Sequence, residues 1–206
     1  MIITAKKGRG TKMHLFIDDE YNFTVTADFW FSSAFNSGDR VNEEELRLFK
    51  AKAEDRKAFN KALNIICRRD HSERELQEKL SKTVDKASAV AAVKKAADLG
   101  LVNDESFAEK YAQELFSRKG YSPARIRMEL LRKGISRDLA DRVANGIEFN
   151  PQERIAELLS SRFVRQIADE KGRERTCNSL ARLGYSYSDI RNAMREIDIE
   201  LPSDDD

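Results

Sequence analysis

Apolar side chains in this chain follow two spacings, one after the other. Over the first 26 residues they alternate with polar ones: Tyr21, Phe23 and Val25 are separated by Asn22, Thr24 and Thr26, which predicts a half-buried strand. Ile2–Lys7 and Lys12–Ile17 read as two further strands. Turn chemistry at Gly8-Arg9-Gly10 and Asp18-Asp19-Glu20 connects them, so a small antiparallel sheet is expected. Asp28–Phe35 follows as one or two helical turns presenting Phe29, Trp30, Phe31 and Phe35, an aromatic core beneath the sheet.

From Asn42 the apolar spacing changes to three and four, the period of a helix with one buried face. Asn42 and Glu45 form a capping-box pattern that opens a charged helix carrying Leu46 and Phe49 and reaching Ala53. Phe59, Ala62, Leu63, Ile66 and Cys67 mark a separate amphipathic helix. Ser72 and Glu75 start the next, and Lys86–Leu99, with Val90, Val93 and Ala97 inward, is a third, ended by Gly100.

The best-delimited stretch is Asn103–Ile135. Asn103 or Asp104 caps a helix with Phe107, Tyr111 and Leu115 on one face, and Gly120 ends it. Ser122-Pro123 opens a second, because proline at the first helical position lacks only an N–H that would have no partner. Ile126 and Leu130 form its stripe, and Gly134 closes it. A helix over about Arg137–Asn145 places Leu139, Ala140 and Val143 inward. Asn150-Pro151 then starts a last trio, through Ile155, Leu158, Leu159 and Phe163, through Cys177 and Leu180, and through Ile190, Ala193, Met194 and Ile197.

These helices recur with a fixed period. Ser72, Leu76 and Leu80 reappear as Ser122, Ile126 and Leu130, shifted by 50. Leu130, Gly134, Ile135 and Ser136 reappear as Leu180, Gly184, Tyr185 and Ser186, again shifted by 50. The expected fold is therefore mainly α, with nine helices in three tandem three-helix repeats forming an elongated, curved array behind an antiparallel β unit. The expected division is residues 1–41 (β unit with a short aromatic helix), 42–100 (linker helix and first repeat), 101–148 (second repeat), 149–199 (third repeat) and 200–206 (acidic tail).

Composition supports a helical, folded chain: 35% of residues are charged, and Gly (9) and Pro (3) are few among 206. No apolar run approaches the roughly 18–20 residues needed to span a bilayer, and no secretory signal is visible. Cys67 and Cys177 have no CxxC spacing and sit at apolar helical positions, so both are expected as buried thiols in a reducing cytoplasm. His14 and His71 lack a second ligand at helical spacing, Gly8-Arg9-Gly10-Thr11 is too short for a phosphate loop, and no GxSxG elbow occurs. No catalytic residue, metal or cofactor is expected.

Net charge is only +1, yet it is unevenly placed. Ser117–Arg137 holds seven basic residues (Arg118, Lys119, Arg125, Arg127, Arg132, Lys133, Arg137) against one acid, Glu129, for a local net of +6. With one acid interspersed, self-repulsion is expected to go largely uncompensated. Arg125 and Arg132 share a face with Glu129 between them, and Arg127 points elsewhere. Such a segment suits a broad anionic partner, a phosphate backbone or an acidic protein groove, and spacing does not choose between them.

Leu101-Val102-Asn103-Asp104-Glu105-Ser106-Phe107-Ala108, then Arg118, Gly120, Arg125-Ile126, Glu129-Leu130 and Arg132-Lys133-Gly134-Ile135, resembles the motif block of the bacterial RecX family. The resemblance covers about Ala58–Ile197, and the leader resembles an N-terminal extension of some members. It implies a regulator without catalytic activity, and mainly an inhibitor, that binds the RecA–single-stranded DNA filament. There it lowers ATP hydrolysis, strand exchange and co-protease activity, and so regulates recombination, DNA repair and the SOS response. It also implies Arg118, Lys119, Arg125, Arg127, Arg132 and Lys133 as filament or DNA contacts, a cytoplasmic setting, no membrane and no cofactor; the many charges fit a monomer. Charge reversal at Arg125 and Arg132 together is expected to weaken inhibition with the fold intact. The alternative is a helical-repeat protein acting directly on DNA or RNA. Two departures stand out: Lys82-Thr83-Val84 replaces a Lys-Gly stop in repeat one, and Leu183-Gly184 replaces it in repeat three.

Overall fold

A computed structural model describes residues 1–196, so the expected apolar contact of Ile197 and the acidic tail lie outside the described residues. The chain divides into two compact units. One holds Met1–Asp70 and Leu76–Val102; the other holds His71–Glu75 and the chain from Asn103 onward.

The first unit begins with β1 (Ile3–Lys7), β2 (Lys12–Ile17) and β3 (Glu20–Thr26), an antiparallel sheet in that order with Ile3 opposite Ile17 and Leu15 opposite Phe23. The β2–β3 hairpin turns on Asp18 and Asp19, both at positive φ, a conformation that short polar side chains tolerate. Helix α1 (Ala27–Phe31) is shorter than the sequence predicts. It buries Trp30 but leaves Phe31 77% exposed, because one helical turn cannot aim consecutive rings at one core.

Helix α2 (Glu43–Ile66) corrects the expectation of two helices: it is one rod of 24 residues. No Gly or Pro interrupts it, the capping box at Asn42 and Glu45 forms as expected, and two buried stripes serve two cores. Near its start, Leu46 and Phe49 complete the sheet core, where the Phe49 ring meets Phe23, Phe29, Trp30 and Phe35 at 5.2–6.2 Å. Near its end, Ala58, Phe59 and Ala62 pack with Leu76, Leu80 and Val93 in the core of the first repeat. The linker helix and the first helix of repeat one are thus the same element.

Helix α3 (Glu73–Leu80) is capped by Ser72, and α4 (Lys86–Asp98) by Asp85. In α4 the inward stripe is Ala89, Ala92, Val93 and Ala96, whereas Val90 is exposed: small residues let α4 lie close to α2, and Val90 sits one step off that stripe. Cys67 is exposed rather than buried, since it falls at the C-cap of α2, where the chain leaves the core. After α3 the chain turns through Thr83 and Val84 N–H groups bonded to the Leu80 carbonyl, the irregular stop that the missing glycine implies.

The second unit contains repeat two, α5 (Asp104–Glu114), α6 (Pro123–Arg132) and α7 (Arg137–Asn145), and repeat three, α8 (Pro151–Ser161), α9 (Glu170–Arg182) and α10 (Tyr187–Glu196). Phe107, Ala108, Leu115, Ile126, Leu130 and Ala140 form one core, and Ile155, Leu159, Leu180, Ile190 and Met194 the other. Cys177 is half-buried, and burial pushes its thiol pKa up. Helices α6 and α9 end alike. The Ile135 N–H bonds the Leu130 carbonyl and the Gly134 N–H that of Leu131, and Tyr185 and Gly184 repeat both bonds 50 residues on.

Candidate interaction surface of the second repeat

The charged segment is held on a frame of serines. Ser122 Oγ accepts from the Arg125 N–H (3.3 Å) and donates to the Gly184 carbonyl (2.8 Å), and the Ser122 N–H bonds the Leu183 carbonyl (2.9 Å). Ser72, one period earlier, likewise accepts from the Glu75 N–H and donates to a carbonyl at the end of α6, that of Lys133, one residue before the equivalent glycine. One hydroxyl therefore caps the second helix of a repeat and ties that cap to the end of the second helix of the next repeat. Gly184 (φ +95°) is required there: a Cβ would fall onto Ser122 Oγ and 2.7 Å from Arg125 Cβ.

On this frame the six candidate cations separate into two groups. Arg125 is half-buried, reaches Glu129 through Nη2 (2.8 Å) and lies over the Tyr121 ring (5.6 Å). Arg132 reaches the same Glu129 oxygen through Nη1 (2.9 Å). Arg127 points away from both, as its position predicts, and forks onto Asp141 of α7. That hydrogen bond, with the Arg127 charge, holds the Asp141 carboxyl below the usual carboxylate range. Lys133 bonds Glu75 (3.0 Å) and sits over the Tyr111 ring (5.6 Å), whose phenol pKa is raised by burial and by nearby carboxylates.

The expectation of uncompensated repulsion is thereby corrected. Glu75 and Asp141 lie outside Ser117–Arg137 in sequence, and the fold brings each against one of its cations; Glu114, just before the segment, stands one helical turn from Arg118. Because Glu129 is mostly buried and bridges Arg125 and Arg132, reversing both charges would place three carboxylates together. The effect on folding would then mask an effect on binding.

The cations that project are Arg118, Lys119 and Arg132. The first two lie on a π-helical turn, Leu115–Lys119, between α5 and Gly120, where the sequence predicts plain helix. Arg118 is 79% exposed and 3.9 Å from Glu114; Lys119 is exposed and has no ion pair among the described residues. Elsewhere in this repeat, α5 and α7 enclose a groove of about 460 Å³ with Phe116 and Val143 in its wall and Glu105, Glu109 and Glu148 at its rim, so its own charge is predominantly acidic. Among the described residues no group of three or more His, Cys, Asp and Glu could hold a metal ion, and no helix is long and apolar enough to cross a membrane.

The fifty-residue period could have revealed the serine ties, since Ser72 and Ser122 recur in it. Glu114 and Glu129 stand at local helical spacing from their cations, but nothing in the local pattern marks Glu75 and Asp141, which arrive from other helices.

Comparison with known proteins places this surface within a described family. The family description "RecX, second three-helix domain" matches residues 103–143, which include α5, α6 and most of α7. The chain is 30% identical over 174 residues to the regulatory protein RecX of Caldanaerobacter subterraneus subsp. tengcongensis, covering 83% of this chain and 84% of that protein. It is 26% identical over 206 residues to the regulatory protein RecX of Bacillus subtilis, covering 98% and 78%. A crystal structure of a regulatory protein RecX has the same fold, with a TM-score of 0.66 at 20% identity over 94% of this chain and 97% of the other.

Proposed function

This chain belongs to the RecX family of regulatory proteins, and we propose that it acts, without catalysis of its own, on the RecA recombinase. It binds the RecA–single-stranded DNA filament in the cytoplasm as a monomer and lowers the filament's ATP hydrolysis, strand exchange and co-protease activity. In that way it regulates recombination, DNA repair and the SOS response. Binding free energy spent on a filament state that hydrolyses slowly or disassembles shifts the population toward that state, so no chemical step by the chain is needed.

The observation that supports this reading is the projecting cationic edge of repeat two, Arg118, Lys119 and Arg132, inside the segment that matches the family. Exposed cations beside half-buried, paired ones suit an extended anionic surface, the filament groove with its strand. The same edge would also attract bare single-stranded DNA, with a salt slope of roughly 0.7 per phosphate contact and so about 2 for three cations.

The test is steady-state ATP hydrolysis by a RecA filament on single-stranded DNA while the protein is titrated in, with binding to bare DNA followed in parallel. A fall in hydrolysis at fewer copies of this chain than of RecA, where bare DNA is scarcely bound, is the expected result. Hydrolysis that changes only in step with occupancy of bare DNA would replace the filament reading with direct nucleic-acid binding.

A further inference from the structure

The final carbonyls of a helix have no intrahelical donors and must find others. Around the π-helical turn of repeat two, those donors come from side chains of repeat three. Arg154 Nη2 donates to the carbonyls of Phe116 (2.7 Å) and Ser117 (3.5 Å), Arg162 Nη1 to that of Lys119 (3.1 Å), and the Tyr185 hydroxyl to that of Gly120 (3.0 Å). Arg154, Leu158 and Arg162 are four apart, so they line one face of α8 and its C-cap. Leu158 presses so closely on Gly120 that a Cβ there would meet its Cδ2 at 2.9 Å.

Two of the donors, Arg154 and Tyr185, are themselves held in place. The Arg154 side chain is 14% exposed, pairs with Glu157 and lies 4.8 Å over the Phe116 ring. Tyr185 is buried and tilted against Phe149 at 6.0 Å. With the turn's backbone engaged from within, its two cationic side chains face outward, Arg118 almost fully exposed and Lys119 without an ion pair among the described residues.

We infer that Arg154, Arg162 and Tyr185 are positioning residues that hold the π-helical turn as a rigid tip, presenting Arg118 and Lys119 to an anionic partner. This rests on the reading that the cationic edge of repeat two meets the RecA filament. A helix end left to fray would have to be ordered at the moment of contact, and that ordering weakens binding; a turn already clamped loses little. Repeat three thus acts on the partner through repeat two.

The experiment compares Arg154→Met, Tyr185→Phe, the pair Arg118→Gln with Lys119→Gln, and Arg154→Met combined with that pair. Each is read by amide hydrogen exchange over residues 115–121 and by the concentration giving half-inhibition of RecA ATP hydrolysis. Arg154→Met is expected to speed exchange in that segment about tenfold and to raise the half-inhibitory concentration several-fold, while adding nothing further to the Arg118/Lys119 pair. Unchanged exchange in both Arg154→Met and Tyr185→Phe overturns the inference, as does an Arg154→Met effect that multiplies with that of the pair. Should Arg154→Met not fold, Tyr185→Phe takes its place in the same cycle. If the unaltered protein leaves RecA hydrolysis untouched, the functional reading falls and the inferred contact with it; if it inhibits and the variants multiply, only the positioning role falls.

Discussion

Replacing Ser122 with alanine removes two bonds made by one buried oxygen. The first is the cap on α6, whose loss costs about 1 kcal/mol in comparable helices. The second is the donor to the Gly184 carbonyl; leaving that carbonyl unpaired at a closed turn costs about 1–2 kcal/mol more. Together, Ser122→Ala should destabilise the second unit by about 2–3 kcal/mol. For a unit of this size that lowers the urea midpoint by about 1–2 M with little change in slope. Far-UV circular dichroism is the suitable probe, because the single tryptophan, Trp30, lies in the other unit. Ser186→Ala is the internal control. It caps α10, the third helix of its repeat, through the Asp189 N–H (3.1 Å), as Ser136 caps α7 one period earlier, but it is exposed, and its other bonds go to Ser188 and Asp189. Its loss should cost about 0.5–1 kcal/mol. Equal costs for the two substitutions would refute the reasoning that the serine ties one repeat to the next.

Gly184→Ala should destabilise by more than about 3 kcal/mol, since positive φ and the collision with Ser122 and Arg125 add, whereas Gly100→Ala, also at positive φ but with open space around it, should cost only about 1–2 kcal/mol; thermal unfolding of both variants checks the ordering. Burial pushes the Tyr185 phenol up to about 12, so the unfolded chain ionises first and stability should fall as pH rises from about 10 to about 12, by about 2 kcal/mol; Tyr185→Phe should flatten that alkaline limb, and a limb of unchanged slope counts against the assignment. Asp141 is held below the ordinary carboxylate range by Arg127, so its contribution is present above pH of about 4 and disappears as pH falls through its lowered folded value; acid unfolding of Asp141→Asn should lack this component, and coincident acid curves would show that the pair contributes nothing.

The positions of the elements were legible because they depend on neighbours in sequence. Alternation drew β3, the spacing of three and four drew the helices, and Asn42, Asn103, Ser122, Ser136 and Asn150 act as caps in the structure as their residue types predict. The family, too, was readable in the run from Leu101 to Ile135, since a motif is a local string. The reading ran short wherever a residue answers to something distant in the chain. Phe31 and Val90 are apolar but face solvent, because the neighbouring core positions are filled by Trp30 and by the alanines of α4. The two helices expected over residues 42–67 are one, because two separate cores grip opposite ends of an uninterrupted rod.

The candidate surface divides in the same way. Sequence alone determined which residues are cationic, that Arg127 departs from the face of Arg125 and Arg132, and where the serines and glycines of the period fall. Only the tertiary structure decided which cations remain available. Glu75 and Asp141 come from other helices to engage Lys133 and Arg127, whereas Arg132, bonded only to Glu129 of its own helix, stays exposed and the π-helical turn carries Arg118 and Lys119 at the surface. The physical reason is range. Helix period and caps arise from bonds within four residues, whereas a charge is neutralised by whichever carboxylate lies within about 4 Å, and packing, not sequence separation, sets that distance.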